Sequence, residues 1–240
     1  MKNLKEKLVL ALDVSNLDEA KKLIQELAEY VGVFKVGKEL FTAVGPEIFK
    51  VIKENGGKIF ADLKYHDIPN TVASAARVLT RYGVEIFNIH ATGGKEMIRQ
   101  TREAIEDEAN KLGVKRPKLL AVTVLTSLDN SDLKELKINV ENTGDYVLHL
   151  AKMAKESGAD GIVCSPLEIE KVKKELGDDF ITLTPGIRPS WSNKGDQKRV
   201  MTPKEAIKKG TDYIVIGRPI RNAENRVEAV KKILKEMGEE

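Results

Sequence analysis

The sequence contains eight short runs of aliphatic and β-branched residues, and a longer segment with a helical pattern follows each run. Continuous apolar runs of this kind are typical of strands that are buried on both faces of a parallel sheet. Their alternation with helical segments indicates a series of β-α units. The runs begin near Leu8, Val33, Lys58, Glu85, Lys118, Gly161, Phe180 and Asp212.

The helical pattern is clearest in residues 18–30 and 222–237, where apolar side chains recur every three or four positions opposite Lys and Glu. Eight β-α units in 240 residues predict a (β/α)8 TIM barrel, with a doubly wound open sheet as the alternative. The chain has no Pro/Gly/Ser-rich linker, so we expect one domain over residues 1–240. Residues 129–144 show no clear period and are expected to form a mobile insertion after the fifth strand.

Barrel enzymes place their catalytic residues at the carboxyl ends of the strands. Polar side chains of this chain occur at the ends of several separate runs, although the runs themselves are apolar. A concentration of polar groups at one edge of the barrel predicts an active site there. The residues concerned are Asp13, Lys35, Lys38, Asp62, Lys64, His90, Thr126, Ser127, Ser165 and Arg218.

The densest group of charges lies in residues 61–71, which read Ala-Asp-Leu-Lys-Tyr-His-Asp-Ile-Pro-Asn-Thr. Asp62 and Lys64 are two positions apart at the end of a strand, so their side chains share a face, and Asp67 follows on the loop. Alternating charges packed this closely are costly to bury and poor at building a core. The pattern therefore favours catalytic chemistry over a surface ion pair.

The last two β-α units predict a phosphate site. Gly217 allows a ligand to approach the backbone, the following helix start offers free N–H groups, and an arginine can bind phosphate oxygens with its forked guanidinium. The seventh run leads into a polar segment, residues 188–199, whose length suits a lid over the bound phosphate. The candidate phosphate-site residues are Pro185, Arg188, Gln197, Gly217 and Arg218.

Composition excludes several other classes of function. The net charge is +3 with 32% charged residues, and no stripe of Lys and Arg is interleaved with aromatics, so no nucleic-acid partner is expected. The single cysteine, Cys164, excludes an internal disulfide and a cysteine-based zinc site, and its apolar surroundings predict a buried side chain. The apolar run near the N-terminus is too short for a signal peptide or a membrane span, which favours the cytoplasm.

The string Asp62-x-Lys64-x-x-Asp67-Ile-Pro-Asn-Thr71, together with the phosphate end, resembles the orotidine 5′-monophosphate decarboxylase family. The resemblance runs from Asp13 to Arg218, and the string is highly specific. The wider superfamily shares only Asp-x-Lys-x-x-Asp and includes the magnesium-dependent 3-keto-L-gulonate 6-phosphate decarboxylase and hexulose phosphate synthase. The gulonate enzyme has an acidic residue where this chain has Lys35, and a cation there fits a metal-free site better.

The resemblance implies a homodimer with shared active sites that converts orotidine 5′-monophosphate to UMP and CO₂ without a cofactor or a metal. It implies that Lys64 donates the proton, that Asp62 lies against the substrate carboxylate, and that the alternating charges hold Lys64 in its ionised form. The other implied contacts are Asp13 and Lys35 with the ribose; Asp67 and Thr71 in the neighbouring subunit's site; Ile68 with the substrate; Thr126 and Ser127 with the pyrimidine; and Pro185, Arg188, Gln197, Gly217 and Arg218 at the phosphate end.

Two alternatives stay open at this point. The first is a magnesium-dependent sugar-phosphate lyase or aldolase of the same superfamily, which EDTA would inactivate. The second is a non-catalytic barrel that binds phosphorylated metabolites as a sensor or scaffold. The row of alternating Asp and Lys residues argues against a sensor, because binding alone does not require such costly burial of charge.

Overall fold

The computed structural model describes residues 2–192 and 200–238. Eight parallel strands form a closed barrel in the order in which they occur along the chain. The predicted (β/α)8 barrel is therefore confirmed, and the open doubly wound sheet is excluded. The strands are β1 (Leu8–Ala11), β2 (Val33–Gly37), β3 (Lys58–Tyr65), β4 (Ile86–His90), β5 (Lys118–Val122), β6 (Gly161–Val163), β7 (Ile181–Thr184) and β8 (Tyr213–Ile216).

Amphipathic helices connect the strands and bury their apolar stripes against the barrel. In the first long helix the buried residues Ala20, Leu23, Ile24 and Leu27 follow the predicted stripe, and Asn16 caps its first turn. The helices of the described chain are α1 (Lys2–Lys5), α2 (Leu17–Leu27), α3 (Lys38–Val44), α4 (Glu47–Glu54), α5 (Pro69–Arg81), α6 (Gly94–Leu112), α7 (Asn130–Glu135), α8 (Thr143–Glu156), α9 (Ile169–Leu176), α10 (Pro203–Lys208), α11 (Arg218–Arg221) and α12 (Arg226–Gly238).

Two layers of buried side chains hold the barrel together. Because successive strand residues point to opposite faces, Leu8 and Leu10 pack outward under the helices while Val9 and Ala11 point into the barrel. Burial on both faces explains why the strands read as continuous apolar runs. The inner layer consists of Val9, Ala11, Val33, Phe60, Ile86, Leu120, Leu183 and Val215.

The fifth strand is shorter than the sequence predicts. The apolar run extends from Lys118 to Thr126, but β5 ends at Val122. At Thr123 the backbone N–H and the hydroxyl both donate to the carbonyl of Val163, at 3.3 and 3.0 Å. The chain then leaves the sheet, so Thr126 and Ser127 lie in a turn beyond the strand.

The segment over residues 129–144, which shows no clear period in the sequence, contains regular structure. Helix α7 begins with a capping box formed by Asp129 and Asp132. The side-chain oxygen of Asn130 accepts hydrogen bonds from the backbone N–H and the hydroxyl of Thr143, at 2.8 and 2.5 Å. The start of α7 is thereby tied to the start of α8.

The loop after β7 has its two ends joined. A bridge pairs Ile187 with Met201, and the backbone N–H of Arg188 donates to the carbonyl of Met201 at 3.0 Å. Gln197, the candidate phosphate ligand in this loop, lies outside the described residues. The bridge fixes the positions at which the loop leaves and rejoins the barrel.

In the ranges 2–192 and 200–238, no helix has both the length and the apolar character that crossing a membrane requires.

Candidate active site

A cavity of about 230 Å³ opens at the carboxyl ends of the strands. It contains charged side chains from β2, β3 and the loop after β1 on one side and the loops after β7 and β8 on the other. The structure thus brings together half of the ten polar strand-end residues that the sequence assigns to one site, namely Asp13, Lys35, Asp62, Lys64 and Arg218. The lining residues are Ala11, Asp13, Lys35, Phe60, Asp62, Lys64, Val163, Leu183, Pro185, Gly186, Arg188, Val215, Gly217 and Arg218.

Strands β2 and β3 and the loop after β1 supply a connected row of charges. The Nζ atom of Lys35 lies 3.0 Å from Asp13 Oδ1 and 3.2 Å from Asp62 Oδ2. The second oxygen of Asp62, Oδ1, lies 2.5 Å from Lys64 Nζ. Only 12% of the Lys35 side chain and 13% of the Asp62 side chain are exposed, so these charges interact with little solvent screening. Each charge in the row has an opposite neighbour, which makes its burial tolerable.

The environment shifts the pKa values of Lys35 and Asp62 in opposite directions. Burial alone lowers the pKa of Lys35, but the charges of Asp62 and Asp13 and its hydrogen bonds to both outweigh burial and raise it. Burial alone raises the pKa of Asp62, but Lys35, Lys64 and the hydrogen bonds from Lys64 and Asn88 lower it. Both side chains are therefore ionised across the neutral pH range.

A local distortion of β3 presents Lys64 to the cavity. The register with β4 shifts between Ala61 and Tyr65, and Lys64 itself has φ 53°, in the left-handed region that non-glycine residues rarely adopt. The buried amide of Asn88 on β4 accepts a hydrogen bond from the Lys64 backbone N–H at 2.9 Å. The same amide donates to Asp62 Oδ1 at 2.7 Å.

Two polar residues that contact the charge row were not identified from the sequence. Asn88 is a polar residue inside an otherwise apolar strand, and that contrast with Phe87 and Ile89 is a signal that sequence reasoning can use. Arg221 lies on α11, and its Nη1 atom donates to the backbone carbonyl of Asp13 at 2.6 Å. Arg221 follows Arg218 by about one helical turn, so both side chains lie on the same face of α11. This spacing is the signal by which the sequence could have identified Arg221.

The phosphate end is built from the loops that follow β7 and β8. Arg188 and Arg218 line the central cavity and also a neighbouring cavity of about 400 Å³. A Cβ atom at Gly217 would lie 3.3 Å from the Ala11 Cβ and 3.6 Å from Asp13 Oδ2, so a side chain at this position would crowd the rim. The two guanidinium groups and the open backbone form a site that suits an anion.

The remaining predicted residues lie away from the central cavity. Asp67 and Ile68 precede α5, and Thr71 lies in its first turn; all three side chains are exposed, Ile68 to 66%. The Asp67 carboxylate accepts the Ile68 backbone N–H at 2.6 Å. Within the described part of one chain, Asp67 forms no ion pair with Lys64. Thr126 and Ser127 are not among the residues that line the cavity.

Cys164 and the histidines, the residues outside the charge row that could act as a nucleophile or as metal ligands, are poorly placed for either role. Cys164 is buried as predicted, and burial raises the pKa of its thiol. His90 packs against His66 with ring centroids 5.4 Å apart; burial and the nearby positive charges lower its pKa to about 4, so its ring is neutral at pH 7. Among the described residues, no group of three or more His, Cys, Asp or Glu side chains is placed to hold a metal ion.

A closed parallel barrel whose charged side chains meet at the carboxyl ends of its strands defines the class of (β/α)8-barrel enzymes. Comparison with family models gives a match to the orotidine 5′-phosphate decarboxylase / HUMPS family over residues 6–233. The chain belongs to this family.

Individual relatives match over nearly the whole chain. The orotidine 5′-phosphate decarboxylase of Syntrophomonas wolfei is 50% identical over 235 residues, which are 98% of this chain and 98% of that protein. The protein of the same name from Moorella thermoacetica is 48% identical over 234 residues, 97% of this chain and 92% of its own length. The crystal structure of orotidine 5′-phosphate decarboxylase from Lactobacillus acidophilus is 40% identical with a TM-score of 0.85, and the match covers 97% of this chain and 99% of that one.

Proposed function

We propose that this chain is a carboxy-lyase that converts orotidine 5′-monophosphate to UMP and CO₂ in pyrimidine biosynthesis, in the cytoplasm and without a metal or cofactor. The observation that carries the proposal is the connected row Asp13–Lys35–Asp62–Lys64 at the mouth of the barrel, whose two central members, Lys35 and Asp62, are largely shielded from solvent. Membership of the family and the anion-binding loops beside the row support the same assignment.

The reaction requires a fixed positive charge. When the bond between C6 and the carboxylate breaks, its electron pair stays on C6 in an orbital in the plane of the ring, where the π-system cannot delocalise it. With no electron sink, the protein must stabilise this carbanion with charge that is already in position. Lys64 supplies that charge, and its ammonium group then donates a proton to C6 to give UMP. Water returns a proton to the amine.

Asp62 has two roles in this proposal. Its Oδ1 atom holds Lys64 Nζ, which fixes the direction of the ammonium group. Its negative charge also faces the substrate carboxylate, and the repulsion between the two is relieved as CO₂ leaves. Lys35 balances Asp62 from the other side and, together with Asp13, holds the ribose hydroxyls.

The remaining contacts bind the rest of the nucleotide. Arg188, Gln197, Gly217 and Arg218 bind the phosphate next to Pro185, and Thr126 with Ser127 contacts the pyrimidine when the loops close. Binding energy from the distant phosphate drives loop closure and excludes water from the reacting centre.

The proposal also includes a homodimer with shared sites. Asp67, Ile68 and Thr71 are exposed in one chain. When two copies associate, Asp67 and Thr71 reach into the site of the neighbouring chain, and the Asp67 carboxylate extends its charge row. The exposed apolar side chain of Ile68 gains cover in such an interface.

The direct test adds orotidine 5′-monophosphate to protein that has been treated with EDTA and follows ultraviolet absorbance. We expect absorbance to fall at an unchanged rate after the treatment. Loss of activity on chelation, with recovery on adding Mg²⁺, would instead favour the magnesium-dependent lyase. Binding without turnover would favour the sensor.

Replacing Arg218 with alanine is expected to lower kcat/KM about 100-fold, because a charge-assisted contact to the phosphate is lost. Steady-state kinetics measure the effect, and Arg99→Ala is the matched control, since Arg99 pairs with Glu96 and Glu103 on the surface of α6. An unchanged kcat/KM in Arg218→Ala would remove Arg218 from the phosphate site.

Mixing two inactive variants tests the shared site. If Asp67 acts in the neighbouring subunit, Lys64→Ala and Asp67→Ala regain about a quarter of wild-type turnover after subunit exchange, because half of the random dimers are mixed and each holds one intact site. Each variant alone is the control. If Asp67 acts in its own subunit, no mixed dimer contains an intact site and no activity returns.

A further inference from the structure

Asn88 is a buried polar residue that joins two members of the charge row but does not line the cavity. It lies on β4, next to β3 in the barrel, and its side chain is fully inaccessible to solvent. A buried carboxamide is costly unless its donor and acceptor are both satisfied. Asn88 meets this requirement: its oxygen accepts a hydrogen bond from Lys64, and its nitrogen donates one to Asp62.

The orientation of this amide is fixed by its two partners. The Lys64 backbone N–H can only donate, so it must face the Asn88 oxygen, which it does at 2.9 Å. The ionised Asp62 carboxylate can only accept, so it must face the Asn88 nitrogen, which it does at 2.7 Å. A side chain of this length therefore needs one donor and one acceptor, and a carboxamide supplies both without depending on its own protonation state.

The two hydrogen bonds of Asn88 involve the part of β3 whose backbone conformation is the least favourable. Lys64 has φ 53°, and the register of β3 against β4 shifts between Ala61 and Tyr65. Such backbone persists only when the surrounding structure holds it. The hydrogen bond from Lys64 N–H to Asn88 supplies a partner for that backbone, while the bond to Asp62 Oδ1 sets the position of the oxygen that contacts Lys64 Nζ.

We propose that Asn88 is a positioning residue for the decarboxylation: it aims the Lys64 ammonium group by holding the Lys64 backbone and the Asp62 carboxylate at the same time. The inference rests on the proposed function. Asn88 does not touch the substrate and acts through the two residues that it holds. Because the reacting groups must lie within a few tenths of an ångström of their productive geometry, a small displacement of Lys64 is costly to turnover.

The first test is Asn88→Ala, which removes both hydrogen bonds. We expect kcat to fall about 100-fold, because displacement of the proton donor affects the chemical step. We expect KM to stay within about threefold of wild type, because the phosphate end carries most of the ground-state binding. Steady-state kinetics with orotidine 5′-monophosphate measure both constants, and thermal unfolding measures stability on the same samples.

The second variant, Asn88→Asp, changes the contact to Asp62 while it keeps the contact to the Lys64 N–H. It also replaces Asn88→Ala as the test if that variant does not fold. An aspartate oxygen still accepts the Lys64 N–H, but a second carboxyl group replaces the donor to Asp62. The charged groups around Asp62 are Lys35 from β2 and Lys64 from β3, and the titratable ring of His90 from β4, neutral at pH 7, lies nearby. A new carboxyl beside Asp62 raises the pKa of the pair, so the acid limb of kcat moves to higher pH.

The matched control is Thr101→Val. Thr101 is also fully buried, and its hydroxyl donates to the Met97 carbonyl within α6, away from the cavity. This change lowers stability without touching the charge row, so kcat and its pH profile stay as in wild type. A similar fall in kcat in the control would mean that lost stability, and not positioning, explains the Asn88 variants.

The outcomes distinguish this inference from the proposed function. A wild-type protein that does not decarboxylate orotidine 5′-monophosphate overturns the proposed function itself. An active wild type with Asn88→Ala at near-normal kcat, or with Asn88→Asp at an unmoved acid limb, overturns the role of Asn88 and leaves the proposed function standing.

Discussion

Replacing Lys64 with alanine is expected to lower turnover at least about 10⁴-fold, because one change removes both the proton donor and the charge that stabilises the carbanion. The fold should survive. Asp62 keeps its contacts to Lys35 Nζ and to the Asn88 amide, so no buried carboxylate is left without a partner. Absorbance kinetics measure the loss, and circular dichroism with thermal unfolding measures the fold.

Lys95→Ala is the control for this variant. Lys95 forms a surface ion pair with Glu156 at 3.0 Å, and both side chains are largely exposed. Its removal takes the same number of atoms and the same charge from the protein but leaves the cavity unchanged, so turnover should not change. Near-normal turnover in Lys64→Ala would remove Lys64 from the mechanism.

Asp62→Asn is expected to have the second largest effect, a fall in turnover of about 10³-fold. The amide keeps the size of the side chain but removes the charge that holds Lys64 Nζ and balances Lys35. It also places a neutral group against the substrate carboxylate. Loss of the charged hydrogen bonds should lower the free energy of unfolding at pH 7 by about 2 kcal/mol, a cost limited by the Asp13 contact that Lys35 retains.

The pH dependence of stability provides an independent check on Asp62. Its pKa in the folded protein lies below the ordinary value of 3.8, so its charge stabilises the fold at higher pH. That contribution is lost as the pH falls through the folded-state pKa. Urea unfolding between pH 7 and pH 3 should therefore show a shallower loss of stability in Asp62→Asn than in wild type. Parallel curves would mean that Asp62 is not the paired carboxylate that the geometry indicates.

The barrel could be predicted because the apolar runs that form its strands recur along the whole chain. Each strand is buried on both faces, so each appears as a continuous apolar run, and Gly161–Val163 is found where its run was identified. The ends of the strands were harder to predict. The apolar run from Lys118 to Thr126 contains four residues beyond the end of β5. The backbone N–H and the hydroxyl of Thr123 both donate to the Val163 carbonyl, and the chain leaves the sheet after this residue. The point at which the strand ends therefore depends on three-dimensional packing and is not visible in the apolar pattern.

The helix α7 shows a different limit. Six residues are too few to display a helical period, so periodicity could not find it. The capping box of Asp129 and Asp132 is local and visible in the sequence, and it is the feature that marks the start of this helix. Short helices are therefore better predicted from their caps than from their apolar pattern.

The candidate site was predicted from its charged residues. The residues that were missed, Asn88 and Arg221, are those that contact the charged residues. Asp13, Lys35, Asp62 and Lys64 stand out because buried ions are rare in strands, and the structure brings them into one row. Asn88 was missed because its partner atoms are a neighbouring strand's backbone and carboxylate, and this pairing depends on the register of β3 against β4. Arg221 was missed because Asp13, to which it donates a hydrogen bond, lies 208 positions away in the sequence.

A crystal structure with UMP bound tests the central claim most directly, because it locates Lys64 Nζ relative to the reacting carbon. We predict that Nζ points at C6 of the pyrimidine from within the charge row, at a distance of about 3 Å. The phosphate should lie between the guanidinium groups of Arg188 and Arg218. An amine turned away from the ring, or a divalent ion in its place, would contradict the account.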